Sequence, residues 1–167
     1  KASPVYGSGV IYKNSGSMRS RGVELSASVL LTGGKFRWRV GGNIAYYKTR
    51  IMSLGGQDQQ TIDLGDGVTL INKVGEAPFS YYGHRADGVY ATSEQAAAEG
   101  LTTLSGYPYT GGDVRFRSLD GDKLITDSDR EILGCADPDF FGGFHTRMSW
   151  KGFSLFANFS YSYGGKV

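Results

Sequence analysis

Two β-hairpins with unusually long alternating arms, separated by a long stretch without periodicity, constrain what this 167-residue chain can fold into. The first runs from Arg21 to Arg50 and turns at Thr32-Gly33-Gly34-Lys35; the second runs from Asp139 to Tyr163 and turns at Trp150-Lys151-Gly152-Phe153. Successive side chains of a strand point to opposite faces. Val23, Leu25, Ala27, Val29 and Leu31 therefore share one face of the first arm, with Glu24, Ser26 and Ser28 on the other. The same alternation gives Phe36, Trp38, Val40, Gly42, Ile44 and Tyr46 against Arg37, Arg39, Gly41, Asn43 and Tyr47. In the second hairpin, Phe140, Phe144, Met148 and Trp150, then Phe153, Leu155, Ala157, Phe159, Tyr161 and Tyr163, are opposed by His145, Arg147, Ser149, Ser154, Asn158, Ser160 and Ser162. Strands of globular proteins usually have about five or six residues, so arms this long need a setting that uses their full length.

A membrane-spanning β-barrel is such a setting. Short turns at one end, one very long loop at the other, and aromatics at both ends of an aliphatic face are how an outer-membrane barrel is wired. The eight steps from Trp38 to Tyr46, at about 3.3 Å each and a tilt near 40°, project to about 20 Å, close to the height of the apolar band. A composition of 26 Gly, 11 Tyr and 9 Phe suits β structure with many turns and interfacial aromatics. No apolar run is long enough for a transmembrane helix, and a mean hydropathy of -0.29 says nothing against strands that alternate. The expectation is all-β: about four long antiparallel strands of a transmembrane barrel, with a long extracellular loop over 51–137.

The remaining composition excludes more than it assigns. The 18 basic and 16 acidic residues are interspersed, so no nucleic-acid partner is expected. Cys135 is the single cysteine, which rules out an internal disulfide and a multi-thiolate zinc site. Lys1-Ala2-Ser3-Pro4 lacks the charged start and apolar run of a signal peptide, so export-type strands without an export signal lead us to expect a fragment. Within the loop, Ile51 to Asn72 is expected to extend the second strand and return through Val68-Thr69-Leu70-Ile71, Ser93-Glu94-Gln95-Ala96-Ala97-Ala98-Glu99 before Gly100 predicts a short helix opened by a serine cap, and the rest is expected to be irregular.

The run Gly75-Glu76-Ala77-Pro78-Phe79-Ser80-Tyr81-Tyr82-Gly83-His84-Arg85-Ala86-Asp87-Gly88-Val89-Tyr90 resembles a segment of SusC/RagA-type TonB-dependent outer-membrane transporters. Gly112-Asp113-Val114-Arg115-Phe116, Asp120-Gly121-Asp122, Asp127-Ser128-Asp129-Arg130, Ile132-Leu133-Gly134 and Pro138-Asp139-Phe140-Phe141-Gly142-Gly143 follow in the family's order. Asn14 to Leu25 resembles a strand start and Tyr161 to Val167 a strand exit, the latter with Lys166 preceded by Gly165 where the family has Asn. The resemblance spans almost the whole chain, 1–167, as part of a receptor barrel domain. It implies a segment of the C-terminal part of a 22-stranded barrel with an internal plug in the cell outer membrane. It further implies TonB and a SusD-like surface lipoprotein as partners, outer-membrane lipid around the wall, and an oligosaccharide or peptide as the imported substrate.

Import involves binding and gating without bond chemistry, so no enzyme and no cofactor is expected. Flat loop aromatics suit sugar rings, which makes Tyr81, Tyr82, Tyr90, Tyr107 and Tyr109 the candidate substrate-binding residues. A calcium-loop-like spacing places Asp120, Asp122, Thr126 and Asp129 at ligand positions, with the Leu124 carbonyl between them. Ser118 replaces the first carboxylate and Lys123 stands where the loop needs Gly, so calcium is expected to bind weakly or not at all. His84 and His145 have no catalytic or zinc spacing, and Arg37, Arg39 and Arg147 are expected on the wet face. The alternative from another class is a soluble carbohydrate- or calcium-binding β-sandwich, adhesin-like, whose apolar faces would pack against each other.

Overall fold

The computed structural model describes residues 15–166, so the segment up to Asn14 and the final Val167 lie outside the described residues. Four long strands form one antiparallel sheet: β1 (Gly16–Thr32), β2 (Phe36–Leu54), β9 (Phe140–Trp150) and β10 (Phe153–Tyr163), side by side in the order β1-β2-β9-β10. Both hairpin turns lie at one end, because Phe36 pairs with Trp150 across the β2–β9 seam. The second turn is the tight two-residue kind, with Lys151 at φ 46° and Gly152 at φ 85°, which matches the right-handed twist of its strands. The segment between Leu54 and Phe140 leaves and re-enters at the opposite end, as the sequence wiring requires.

The apolar face of this sheet is uncovered. Val23 is 72%, Leu155 61% and Phe159 59% exposed, and Leu25, Val29, Ile44 and Phe144 are exposed with them. A two-sheet sandwich would have buried these side chains, so the soluble alternative is not the arrangement seen. Neighbours on this face organise one another: Phe144 stacks on Phe159 at 6.2 Å, Phe140 on Tyr163 at 5.0 Å, and the Trp38 indole N–H donates to Thr146 Oγ1 at 2.9 Å. Among the described residues the sheet does not close; β1 and β10 are its two edges.

The first hairpin is longer than its alternation suggested. β1 begins at Gly16, ahead of the Arg21 that opens the expected hairpin, and Gly16–Arg21 pair with the far end of β2. The polar register of Ser17, Arg19 and Arg21 hides this extension, because it passes beyond the apolar stretch.

The long connection extends β2 to Leu54 and returns near Val68 to Ile71 as expected, and beyond that return it is more ordered than the expected irregular loop. It contains β3 (Gln59–Asp63), β4 (Thr69–Lys73), β5 (Ser80–His84), β6 (Ala86–Val89), β7 (Val114–Phe116) and β8 (Arg130–Gly134). β3, β4, β5 and β8 make a second four-stranded sheet, and β6 pairs with β7. These strands have three to five residues and find partners up to about fifty positions away, so no local period announces them. Helix α1 is where the sequence placed it, Ser93–Glu99, ended by Gly100 at φ 72°. Its cap is Thr92, whose hydroxyl accepts from the Gln95 N–H at 3.2 Å, while the Ser93 hydroxyl accepts from Gly111 N–H at 3.2 Å. The buried apolar residues gather here too: Ile71, Tyr90, Ala96, Leu101 and Ile125, with Ile51 on β2 as the junction. Ile51 N–H donates to Glu76 O at 3.0 Å and Gly75 N–H returns a bond to Ile51 O at 2.8 Å, fastening the loop assembly to β2.

Candidate functional site

The loop assembly carries the expected site residues, and it sorts them into three groups. Tyr81 and Tyr82 line one concavity of about 530 Å³, together with His84, Phe116, Arg130 and Lys166. Adjacent strand residues normally point to opposite faces, but β8 has an extra residue, Leu133, between the partners of Tyr81 (Gly134) and Tyr82 (Ile132). Such a bulge re-aims side chains and lets neighbouring tyrosines serve one hollow. Glycine is required at 134, where φ is 138° and a Cβ would lie 2.7 Å from the Lys166 side chain.

Tyr90 and Tyr109 form a second group. Tyr90 is 1% exposed and so offers no ring face to a ligand, which removes it from the candidate surface. It packs 6.2 Å from Tyr109, which lies 6.3 Å from Phe116, which in turn meets His84 edge-on at 5.9 Å. This aromatic chain is the spine of the assembly. Burial raises the pKa of the Tyr90 hydroxyl above its ordinary value, and the carboxylate of Glu99 adds to the effect. Among the described residues the Tyr90 hydroxyl has no hydrogen-bond partner. Tyr107, by contrast, is 71% exposed and apart from the hollow of Tyr81 and Tyr82.

The third group is the acidic turn, whose carboxylates accept hydrogen bonds from backbone N–H groups of the turn itself. Asp129 is buried; its two oxygens accept from Leu119 N–H at 2.7 Å and Thr126 N–H at 2.8 Å, and Thr126 caps the short 3-10 turn Asp127–Asp129. Burial pushes its pKa up, but these backbone donors, with Ser118 and Thr126, outweigh burial and hold it below the usual carboxylate range. Asp120 accepts from Asp122 N–H at 3.2 Å, and Asp122 from Leu124 N–H at 2.7 Å. Lys123 adopts φ 66°, the left-handed conformation the calcium-loop spacing demanded at that position. Among the described residues no cluster of three or more His, Cys, Asp or Glu is arranged to hold a metal ion.

Sequence reasoning did not give His84 a role, and the structure does. Its Nε2–H donates to the Thr126 carbonyl at 2.6 Å, tying β5 to the acidic turn. Arg117 holds Asp87 through two bonds of 2.9 Å, which keeps the Asp87 carboxyl below its ordinary pKa, and Arg85 pairs with Glu131 across the β5–β8 seam. The signal for these contacts, a charge or imidazole inside a Tyr- and Gly-rich run, was visible; the partners were too distant in sequence to name.

No family model matches the chain. Among curated proteins it is similar to TonB-dependent receptor P3 of Formosa agariphila, with 34% identity over 161 residues, covering 93% of this chain and 16% of that receptor. TonB-dependent receptor P39 of the same organism is 28% identical over 189 residues, covering 94% of this chain and 18% of the receptor. Among solved structures, the RagAB peptide transporter superposes with a TM-score of 0.63 at 24% identity, over 95% of this chain and 16% of that one. RagAB in its closed-closed state gives a TM-score of 0.60 at 23% identity, over 96% of this chain and 17% of that one. The chain is therefore similar to one portion of a TonB-dependent receptor, 16% of the length of P3. The fold that it shares is that of one portion of the RagAB transporter.

Proposed function

We propose that this chain is part of an outer-membrane transporter that imports oligosaccharides or peptides, energised through TonB and working with a SusD-like surface lipoprotein. In this reading the long-strand sheet is a stretch of barrel wall, its apolar face meets lipid, and the loop assembly is the extracellular part over 51–137. The observation that carries it is the uncovered apolar face. Along β10, the ten steps from Phe153 to Tyr163 at about 3.3 Å and a tilt near 40° project to about 25 Å, the height of an outer-membrane apolar band. Exposed Phe36, Trp150 and Phe153 stand at the turn end, and Tyr46, Tyr161 and Tyr163 at the loop end, as two aromatic girdles would. The hollow of Tyr81 and Tyr82, with exposed Tyr107 on the same assembly, is where we place contact with substrate. Its test is uptake by cells carrying the full-length protein, with and without TonB. Labelled oligosaccharide or peptide should accumulate only when TonB is present, and a Tyr81→Ala/Tyr82→Ala variant should take up less. TonB-independent accumulation would overturn the proposal.

A further inference from the structure

At the loop end, the apolar face of the first hairpin gives way to cations. Val23 lies opposite Tyr46, Arg21 opposite Lys48 and Arg19 opposite Arg50, and alternation keeps all of them on the face of Leu25, Val29 and Ile44. Arg19, Arg21, Lys48 and Arg50 are exposed there. Like charges directly opposite one another destabilise a strand pair unless something neutralises them. Two such pairs in succession are held in register, for on the other face the Thr49 hydroxyl donates to Ser20 Oγ at 3.1 Å. Asp139 pairs with Lys48, and Arg50 gives one N–H to Gly75 O at 2.6 Å. The remaining ion pairs among the described residues join other groups: Arg85–Glu131, Arg115–Glu99, Arg117–Asp87 and Arg130–Asp127. Both strands of this array are described, and whatever a barrel encloses lies against the opposite face. Tyr46 marks the aromatic belt at the loop end. At about 3.3 Å per step and a tilt near 40°, Arg21 and Lys48 stand about 5 Å beyond it, and Arg19 and Arg50 about 10 Å beyond. That is the depth of lipid headgroups, which add about 5–8 Å to each side of the hydrocarbon core.

We propose that this array binds the phosphate of an anionic lipid headgroup in the outer leaflet, with Arg19, Arg21 and Arg50 as its ligands and Lys48 adding charge. A guanidinium fork matches two phosphate oxygens in parallel hydrogen bonds, and the strand ladder holds the forks side by side. Phosphate then neutralises the like charges that the ladder sets opposite each other. A lipid fits better than a free anion, because the array is continuous with exposed Val23, Leu25 and Tyr46, where the acyl chains of the same molecule would lie. The proposal rests on reading this face as the lipid side of a barrel wall, and it assigns that wall a headgroup site.

The test is native mass spectrometry of the purified full-length protein in non-ionic detergent, titrated with diphosphoryl lipid A, the same lipid stripped of phosphate, and inorganic phosphate. Diphosphoryl lipid A should be retained, and the stripped lipid should bind about tenfold more weakly or worse. Arg19→Gln/Arg21→Gln should weaken retention of the phosphorylated lipid by about tenfold or more, with Arg19→Lys/Arg21→Lys, which keeps the charge and loses the fork, falling between. Arg37→Gln, at the turn end and on the other face, should change nothing. Heat-modifiability of the barrel on gels reports that each variant is folded, and the single substitutions carry the comparison if the double variant is not. Three results would overturn the proposal. They are equal retention in the Gln variants, equal retention of the stripped lipid because a carboxylate beside β1 already neutralises the arginines, or displacement by inorganic phosphate at the lipid's own concentration, which marks a free-anion site. Retention is read without TonB or uptake, so it fails separately from transport. A spin label at position 25 shielded from a water-soluble chelate, together with equal retention in the Gln variants, would strike this site and leave the barrel wall standing.

Discussion

The long-strand sheet and the loop assembly solve the burial problem in opposite ways. In the sheet, most large apolar side chains are exposed, and order comes from ladder hydrogen bonds and same-face neighbours such as Phe144 and Phe159. In the loop assembly, Leu64, Phe79 and Leu104 are exposed too, yet Ile71, Tyr90, Leu101 and Ile125 are buried and charged groups are tied down in pairs. The difference teaches that the sheet leaves its apolar face uncovered, as the proposed barrel wall requires, whereas the loop assembly supplies its own small core.

The largest effect that would break this contrast comes from charging the sheet. Leu155→Arg should destabilise the full-length protein in bilayers by about 2–4 kcal/mol, while Ser160→Arg on the opposite face should cost little, as measured by urea unfolding in bilayers. Equal costs on both faces would erase the distinction between them.

Next is the inward carboxylate of the loop assembly. Asp129→Ala leaves the N–H groups of Leu119 and Thr126 without an acceptor, and should cost the assembly about 1–3 kcal/mol, seen as faster proteolysis between β7 and β8. The pH dependence has a definite sign. The folded pKa of Asp129 is depressed, so its stabilisation is present above the ordinary carboxylate pKa of about 3.9 and is lost as pH falls through the folded value. Proteolysis should therefore accelerate on acidification below that range, and Asp129→Ala should show a weaker acceleration.

A smaller effect is expected at Tyr90. Removing the unpartnered hydroxyl in Tyr90→Phe should leave stability unchanged or raise it by under about 1 kcal/mol, because no hydrogen bond is lost. The smallest expected signal is calcium. The inward oxygens of Asp129 predict silence at millimolar calcium in calorimetric titration, and micromolar binding abolished by Asp122→Ala would contradict that.

How much of this was legible in the sequence follows the same division. The long strands could be read because each side chain's face is set by its own position, so Val23 to Leu31 and Phe153 to Tyr163 announce themselves by alternation alone. Helix α1 could be read because its stop at Gly100 and its helix formers are local, though the cap fell one residue earlier, at Thr92. Of the second sheet only the return through Val68 to Ile71, which enters β4, could be read; β5 and β8 could not, since β5 is specified by β8 about fifty residues on, and by a bulge at Leu133 that no local pattern encodes. Of the candidate tyrosines, Tyr81 and Tyr82 come together and Tyr90 does not; burial is a property of the assembled core, and a tyrosine in a Gly-rich run looks the same in either place.

The central claim is that one face of the long-strand sheet meets lipid and the other meets water. Spin labels on cysteines placed at Leu25, Leu155, Ser26 and Ser160 of the full-length protein in bilayers test it directly, through collision with oxygen, which enriches in lipid, and with a water-soluble nickel chelate. Labels at positions 25 and 155 should collide with oxygen and be shielded from the chelate, with the reverse at 26 and 160. Chelate access at 25 and 155 equal to that at 26 and 160 would contradict the account.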